Sequence, residues 1–152
     1  MTHITDTLHQ DHQKVSQLIG ELKETGGGAP ATRASLCRQI RHELMAHSEF
    51  EEEVFYPALR EGSPEGGPEV EAAFEEHEEV EQMLDEIEQM EPASNEFMTA
   101  IGRLERAVLE HVQHEESRIF PIAQQLLNEA DADQMSREHD QMVQEHMQRA
   151  GV

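Results

Sequence analysis

Two segments of the chain carry the same chemistry-bearing residues in the same order: His47-Ser-Glu-Phe-Glu51-Glu-Glu-Val-Phe-Tyr-Pro57 and His111-Val-Gln-His-Glu115-Glu-Ser-Arg-Ile-Phe-Pro121. Each has a His, a Glu four residues on, a second Glu directly after it, and an aromatic-Pro closure at the same offset. In a helix, residues i and i+4 lie one above the other on one face. Each segment can therefore aim an imidazole and a carboxylate at one point. Two such points facing each other make a site for two metal ions.

A second pair of segments extends the repeat. Asp11-His12-Gln-Lys-Val15-Ser-Gln-Leu18-Ile19 matches Glu76-His77-Glu-Glu-Val80-Glu-Gln-Met83-Leu84. His12 and His77 are 65 positions apart, and His47 and His111 are 64 apart. The chain reads as two copies of a unit, a helix with one inward His followed by a helix with His-x3-Glu. A period this long, repeated once, describes a duplicated helical hairpin rather than a solenoid.

The elements that must position these groups are helices. Glu, Gln, Ala, Leu and Met abound, aromatic residues make up 4% and Trp is absent, which favours helix over sheet. A chain of 152 residues is one domain's worth and can bury a core. Breakers at Gly26 to Pro30, Gly62 to Pro68 and Glu91 to Ser94 end the first three helices, with Ser94 placed as an N-cap. Residues Asn128 to Asp133 set off a short C-terminal helix. The lengths suit an antiparallel bundle over residues 1–127, with 128–152 as a helical extension packed on it. Pro57 and Pro121 are expected to bend or end their helices.

The apolar stripes show where the histidines point. His12 shares a stripe with Leu8, Val15 and Ile19; His77 lies among Val70, Phe74, Val80 and Leu84. His47 and Glu51 fall between Leu44 and Phe55, and His111 and Glu115 between Val108 and Ile119. The 3.6-residue period calls for apolar groups at these slots, yet six polar groups occupy them. Burying two carboxylates without partners would cost several kcal/mol each, on the order of the usual penalty for a buried ion. Metal coordination accounts for that better than a mutual hydrogen-bond network. Mixed imidazole and carboxylate ligands suit iron, with zinc and manganese as the other choices.

Several classes are disfavoured. No Glu lies three residues before any His, as the Glu-x-x-His of ferritin-like di-iron bundles requires. In His42-Glu43-Leu-Met-Ala-His47 the second His is one residue too far for a zinc-protease motif. A net charge of −22, with only two lysines, argues against a nucleic-acid partner. No apolar run approaches the ~20 residues of a membrane span, and no signal peptide is evident. The single Cys37, read as a half-buried thiol, points to a cytoplasmic protein.

In its order His, His-x3-Glu, His, His-x3-Glu, each His-Glu segment closing on aromatic-Pro, residues 3 to 127 resemble the hemerythrin-like, or HHE cation-binding, domain. The resemblance implies an all-α, up-down-up-down four-helix bundle around a non-haem di-iron centre, oxo- or hydroxo-bridged. Carried over, His12, His47, His77 and His111 would be terminal ligands, and Glu51 and Glu115 would bridge the irons. The His that classical members carry one turn before the third helix's ligand is Ala73 here. Candidates for a further ligand are Glu81, Tyr56, His9 and His139. Glu52 and Glu116 could orient the ligands, and His9 and His114 could stand behind them. His3 and His42 read as surface residues, while His139 and His146 lie on a Met-His face expected to pack on the outside of the bundle rather than reach the metals. The implied partner is a small molecule, O2, NO or peroxide, handled by a sensor, store or scavenger. The alternatives are a catalase-like or NO-reducing oxidoreductase and an iron-responsive protein-interaction module.

Overall fold

The computed structural model describes residues 1–152 and contains helices joined by short connections, with no strand. In chain order the helices are α1 (Ile4–Lys23), α2 (Pro30–Phe50), α3 (Tyr56–Gly62), α4 (Gly66–Glu88), α5 (Asn95–His114), α6 (Phe120–Leu126) and α7 (Glu129–Ala150). A π-helical turn, Glu51–Phe55, joins α2 to α3, and another, Glu115–Ile119, joins α5 to α6. Four rods result: α1, α2 with α3, α4, and α5 with α6. They form the up-down-up-down bundle of two hairpins.

Local chemistry sets the ends. Ser94 caps α5 by accepting from Phe97 N–H at 3.1 Å, and Asn128 caps α7 through Asp131 N–H at 2.8 Å. His3 is a capping residue rather than a free surface one, its ring nitrogen accepting from Thr5 N–H. Pro30 opens α2, where a missing N–H costs nothing. At the α3–α4 corner a Cβ on Gly66 would come within 2.4 Å of the Leu59 carbonyl oxygen, so only glycine fits that close approach. Arg33 is buried and ties two loops together, donating to Thr25 O and Pro92 O.

The two prolines do not end their helices. Each follows a π turn, in which Tyr56 N–H reaches Glu51 O and Phe120 N–H reaches Glu115 O. The wider turn accommodates a ring that lacks an N–H and would crowd the carbonyl four residues back. Helix geometry then resumes to Gly62 and Leu126.

The core is in two parts with a polar layer between. One part gathers Val15, Ile19, Leu22, Ile40, Val80, Leu84, Ile101 and Val108; the other gathers Leu8, Phe50, Phe55, Leu59, Val70, Ala73, Ile119 and Phe120. On every rod the proposed ligands lie where one part gives way to the other. Cys37 belongs to the first part and is buried, not half-buried. The C-terminal helix is not short: α7 has 22 residues, as long as the bundle helices, and packs on α1 and α2. Its buried side includes Ala132, Ser136 and His139. No helix is long and apolar enough to cross a membrane.

Candidate metal centre

The six residues singled out by their spacing converge in the polar layer. His12, His47, Glu51, His77, His111 and Glu115 are all buried. They form two overlapping groups, Glu51 with His77, His111 and Glu115, and His12 with His47 and Glu115, in each of which the donor atoms lie within 4.8 Å of one another. Glu115 spans both. Its Oε1 is 3.0 Å from His12 Nε2, and its Oε2 is 3.5 Å from His111 Nε2 on the other side. Glu51 Oε1 likewise lies 2.9 Å from His47 Nε2 and 3.1 Å from His77 Nε2.

The four imidazoles are oriented by four carboxylates outside the cluster. His12 Nδ1 donates to Glu116 at 2.7 Å, His47 Nδ1 to Asp11 at 2.8 Å, His77 Nδ1 to Glu52 at 2.8 Å and His111 Nδ1 to Glu76 at 2.7 Å. A carboxylate only accepts, so each Nδ1 carries a proton and each Nε2 faces inward, where a metal ion that displaces any proton on it would meet its lone pair. The arrangement is that of carboxylate–histidine–metal triads. It also follows the sequence repeat. The residue before each single His (Asp11, Glu76) serves the His-x3-Glu histidine of its own hairpin, and the residue after each central Glu (Glu52, Glu116) serves the single His of the other hairpin.

A cation fits what the cluster leaves unsatisfied. His12 Nε2, His47 Nε2, Glu51 Oε2 and Glu115 Oε1 are buried with no hydrogen-bond partner. His77 Nε2 and His111 Nε2 face each other at 3.2 Å, a contact between two lone pairs unless a proton or cation intervenes. Buried polar groups are seldom left this way. Nitrogen and carboxylate donors converging from four helices are what a divalent or trivalent first-row metal ion takes.

Electrostatics agree. Burial alone would raise the Glu115 carboxyl, but His111, His12 and His47 hold it well below the usual carboxylate range. Burial would depress the imidazoles, yet the carboxylates prevail: Glu51 raises His47, Glu51 and Glu52 raise His77, and Glu115 brings His111 up to about 10. The centre is an anionic cage that demands positive charge, whether from protons or from metal.

The remaining candidates separate clearly. Tyr56 is fully buried; its one hydroxyl proton is directed to Glu115, the nearer carboxylate, with Glu51 Oε1 at 3.1 Å and His77 Nε2 at 3.3 Å around the same oxygen. Burial, reinforced by Glu115 and Glu51, pushes the phenol well above its ordinary range. The equivalent place in the other half is Phe120, stacked on the His12 ring at 5.8 Å. Glu81 is exposed and outside both groups. His9 is half exposed and bonds Glu116, not the centre. His139 lies outside both groups: it is 4% exposed, on the side of α7 that packs on the outside of the bundle, and donates through Nε2 to Asp11. His114 stands behind Glu76 through Nδ1 and reaches Glu69 through Nε2. His146 bonds Glu49 at the surface. Sequence reasoning gave Asp11, Glu76 and Phe120 no role, although the first two occupy matched positions in the repeat.

Comparison with known proteins agrees with this geometry. The model of the hemerythrin HHE cation-binding domain matches residues 3–123 and, in a second overlapping match, 75–150. A DNA nickase of Nostoc sp. is 31% identical over 149 residues, 98% of this chain and 41% of that protein. An uncharacterized hemerythrin-like protein of Schizosaccharomyces pombe is 30% identical over 133 residues, 87% of this chain and 64% of that one. The chain thus spans less than two thirds of either relative. The crystal structure of a hemerythrin HHE cation-binding domain-containing protein from Mycobacterium kansasii superposes with a TM-score of 0.86 at 17% identity, over 99% of this chain and 90% of that one. With a bundle of this architecture and a family match across most of its length, the chain belongs to the hemerythrin HHE cation-binding domain family.

Proposed function

We propose that the buried cluster holds two iron ions as a non-haem di-iron centre and that the protein handles a small ligand there, O2, NO or peroxide, as a sensor, store or scavenger. The observation that carries this is the pair of ligand groups sharing Glu115, whose two oxygens face opposite halves. One ion would be held by His12 and His47, the other by His77 and His111, with Glu51 and Glu115 placed to reach both. Bound iron supplies a Lewis-acidic, redox-active position. The chain's own residues do the rest: the outer carboxylates fix each ring and raise its basicity, and the two core clusters keep bulk water away.

The space beside the cluster limits the ligand. A cavity of about 20 Å³ is bounded by the four imidazoles and by Val15, Leu44, Val80, Val108 and Val112. That is room for one particle of about water's size, which favours the smallest ligands over an organic substrate. The DNA-nicking activity named for the Nostoc relative is not carried over. A net charge of −22 opposes a phosphate backbone, and more than half of that relative lies outside the match.

Tyr56 favours a second reading, an oxidoreductase acting on peroxide or NO. Its phenol holds a proton between Glu51 and Glu115, within reach of a ligand that must be protonated as it is reduced. Azide and NO difference spectra of the iron-loaded protein distinguish the two. Ligand-dependent spectral change without catalytic turnover supports binding, and sustained loss of peroxide or NO supports the enzyme. No spectral response to any of the three ligands would contradict both.

A further inference from the structure

The two halves of the centre are built alike but braced differently. Glu76, behind His111, is itself steadied by His114 Nδ1 at 2.9 Å, and His114 lies on α5, the same helix as His111. Asp11, behind His47, is steadied by His139 Nε2 at 2.6 Å, and His139 comes from α7, outside both hairpins. One oxygen, Asp11 Oδ2, accepts from both His139 and His47. The His139 ring is itself fixed, edge-on to Phe50 at 5.1 Å. One turn earlier on α7, Ser136 Oγ meets Thr7 Oγ1 at 2.6 Å in a buried contact. The helix is therefore docked where it can reach Asp11.

We propose that His139 is a positioning residue for one metal position, the half built from His12, His47 and Glu115, so that α7 controls the occupancy of one of the two ions while the other is set within the bundle. The proposal rests on the two-metal reading above. A carboxylate with a single donor can turn away from its imidazole, whereas two donors on one oxygen hold it in the plane that keeps His47 Nε2 inward. Outer partners of metal-bound histidines commonly contribute about 10–100-fold in metal affinity. Here that contribution is delivered by an element outside the two hairpins, which gives the centre two unlike positions despite its internal repeat.

The test is iron content and chelator-driven iron release of the full chain, followed beside helicity. The wild-type chain should hold two irons; a different count overturns the two-metal reading itself and is visible before any variant is made. With two irons in the wild type, His139→Leu should release one iron roughly 10–100-fold more readily and leave the other at its wild-type rate. His139→Gln, whose amide nitrogen can reach Asp11, should restore most of the difference. Ser136→Ala, which removes one hydroxyl contact of α7 and leaves the His139–Asp11 bond in place, should keep both irons. Equal acceleration of both irons in His139→Leu, or unchanged release of both, would overturn the proposal.

Discussion

Each of the six central residues asks for something different of its neighbours, and the differences are measurable. Glu115 and Glu51 face imidazoles on both sides, so Glu115→Ala or Glu51→Ala should remove at least one iron and lower the melting temperature; an unchanged iron count in either would break the bridging assignment. Glu52 and Glu116 hold His77 and His12 by Nδ1. Glu52→Ala and Glu116→Ala should therefore keep the fold but weaken iron binding by roughly 10–100-fold, milder than loss of a bridge and larger than a solvated Glu would give. Tyr56→Phe should retain both irons, because the buried phenol stays protonated and acts through the two carboxylates. A visible tyrosinate-to-iron band in the wild type that vanishes in the variant would make Tyr56 a ligand instead. The convergence of the six residues was legible in the sequence because polar groups broke an apolar stripe. Half of the outer layer, Glu52 and Glu116, was legible as the acid beside each central Glu; Asp11 and Glu76 were legible only as symmetry, since nothing in one dimension says that each serves the neighbouring helix. Glu81 satisfied the spacing of a turn after His77 and still faces solvent, since spacing alone does not say how far a helix is rolled.

At the scale of the element, the π turns are what put the second half of each motif in place. Five residues along an α-helix turn a side chain well away from its starting face. The wider turn from Glu51 to Phe55 brings Tyr56 back over Glu51, and its twin places Phe120 beside His12. Deleting the exposed Glu53 should restore ordinary α register, rotate Tyr56 off the carboxylates and leave fewer than two irons bound with helicity largely intact. Full iron occupancy in that deletion would show the π turn to be incidental. Pro57 and Pro121 mark these turns in the sequence; the expectation that they bend or end their helices came from their missing N–H, and the wider ring is what lets the helix continue past them. The C-terminal helix was underestimated in length alone. Its Met-His face, read as packing on the outside of the bundle, buries Ala132, Ser136 and His139 against α1 and α2; what the period did not show is the bond from His139 to Asp11, which depends on tertiary packing.

Across the whole molecule, the division of the core into two apolar parts by one charged layer links metal binding to stability. Without metal, protons must neutralise the cage. The folded pKa of His111, about 10, lies above the ordinary histidine value of 6.5. Its proton-linked stabilisation is therefore complete below about pH 6.5 and fades as pH rises towards 10. Metal binding expels those protons, so iron affinity runs the other way and increases with pH. The gain in melting temperature on iron loading should accordingly grow between about pH 6 and pH 8; a gain that shrinks over that range would mean iron binds outside the cage. The bundle and its duplication were readable from periodicity and breakers, whereas the size of the electrostatic strain was not, because it arises from distances between four separate helices. The central claim is that one chain holds two irons in this layer. Iron counted per chain after anaerobic loading and removal of excess, with an absorption spectrum after oxidation, tests it most directly. Two irons per chain and the near-ultraviolet absorption of a bridged ferric pair are expected, with the absorption and at least one iron lost in Glu115→Ala; a count of one or none in the wild type would rule out a two-metal centre.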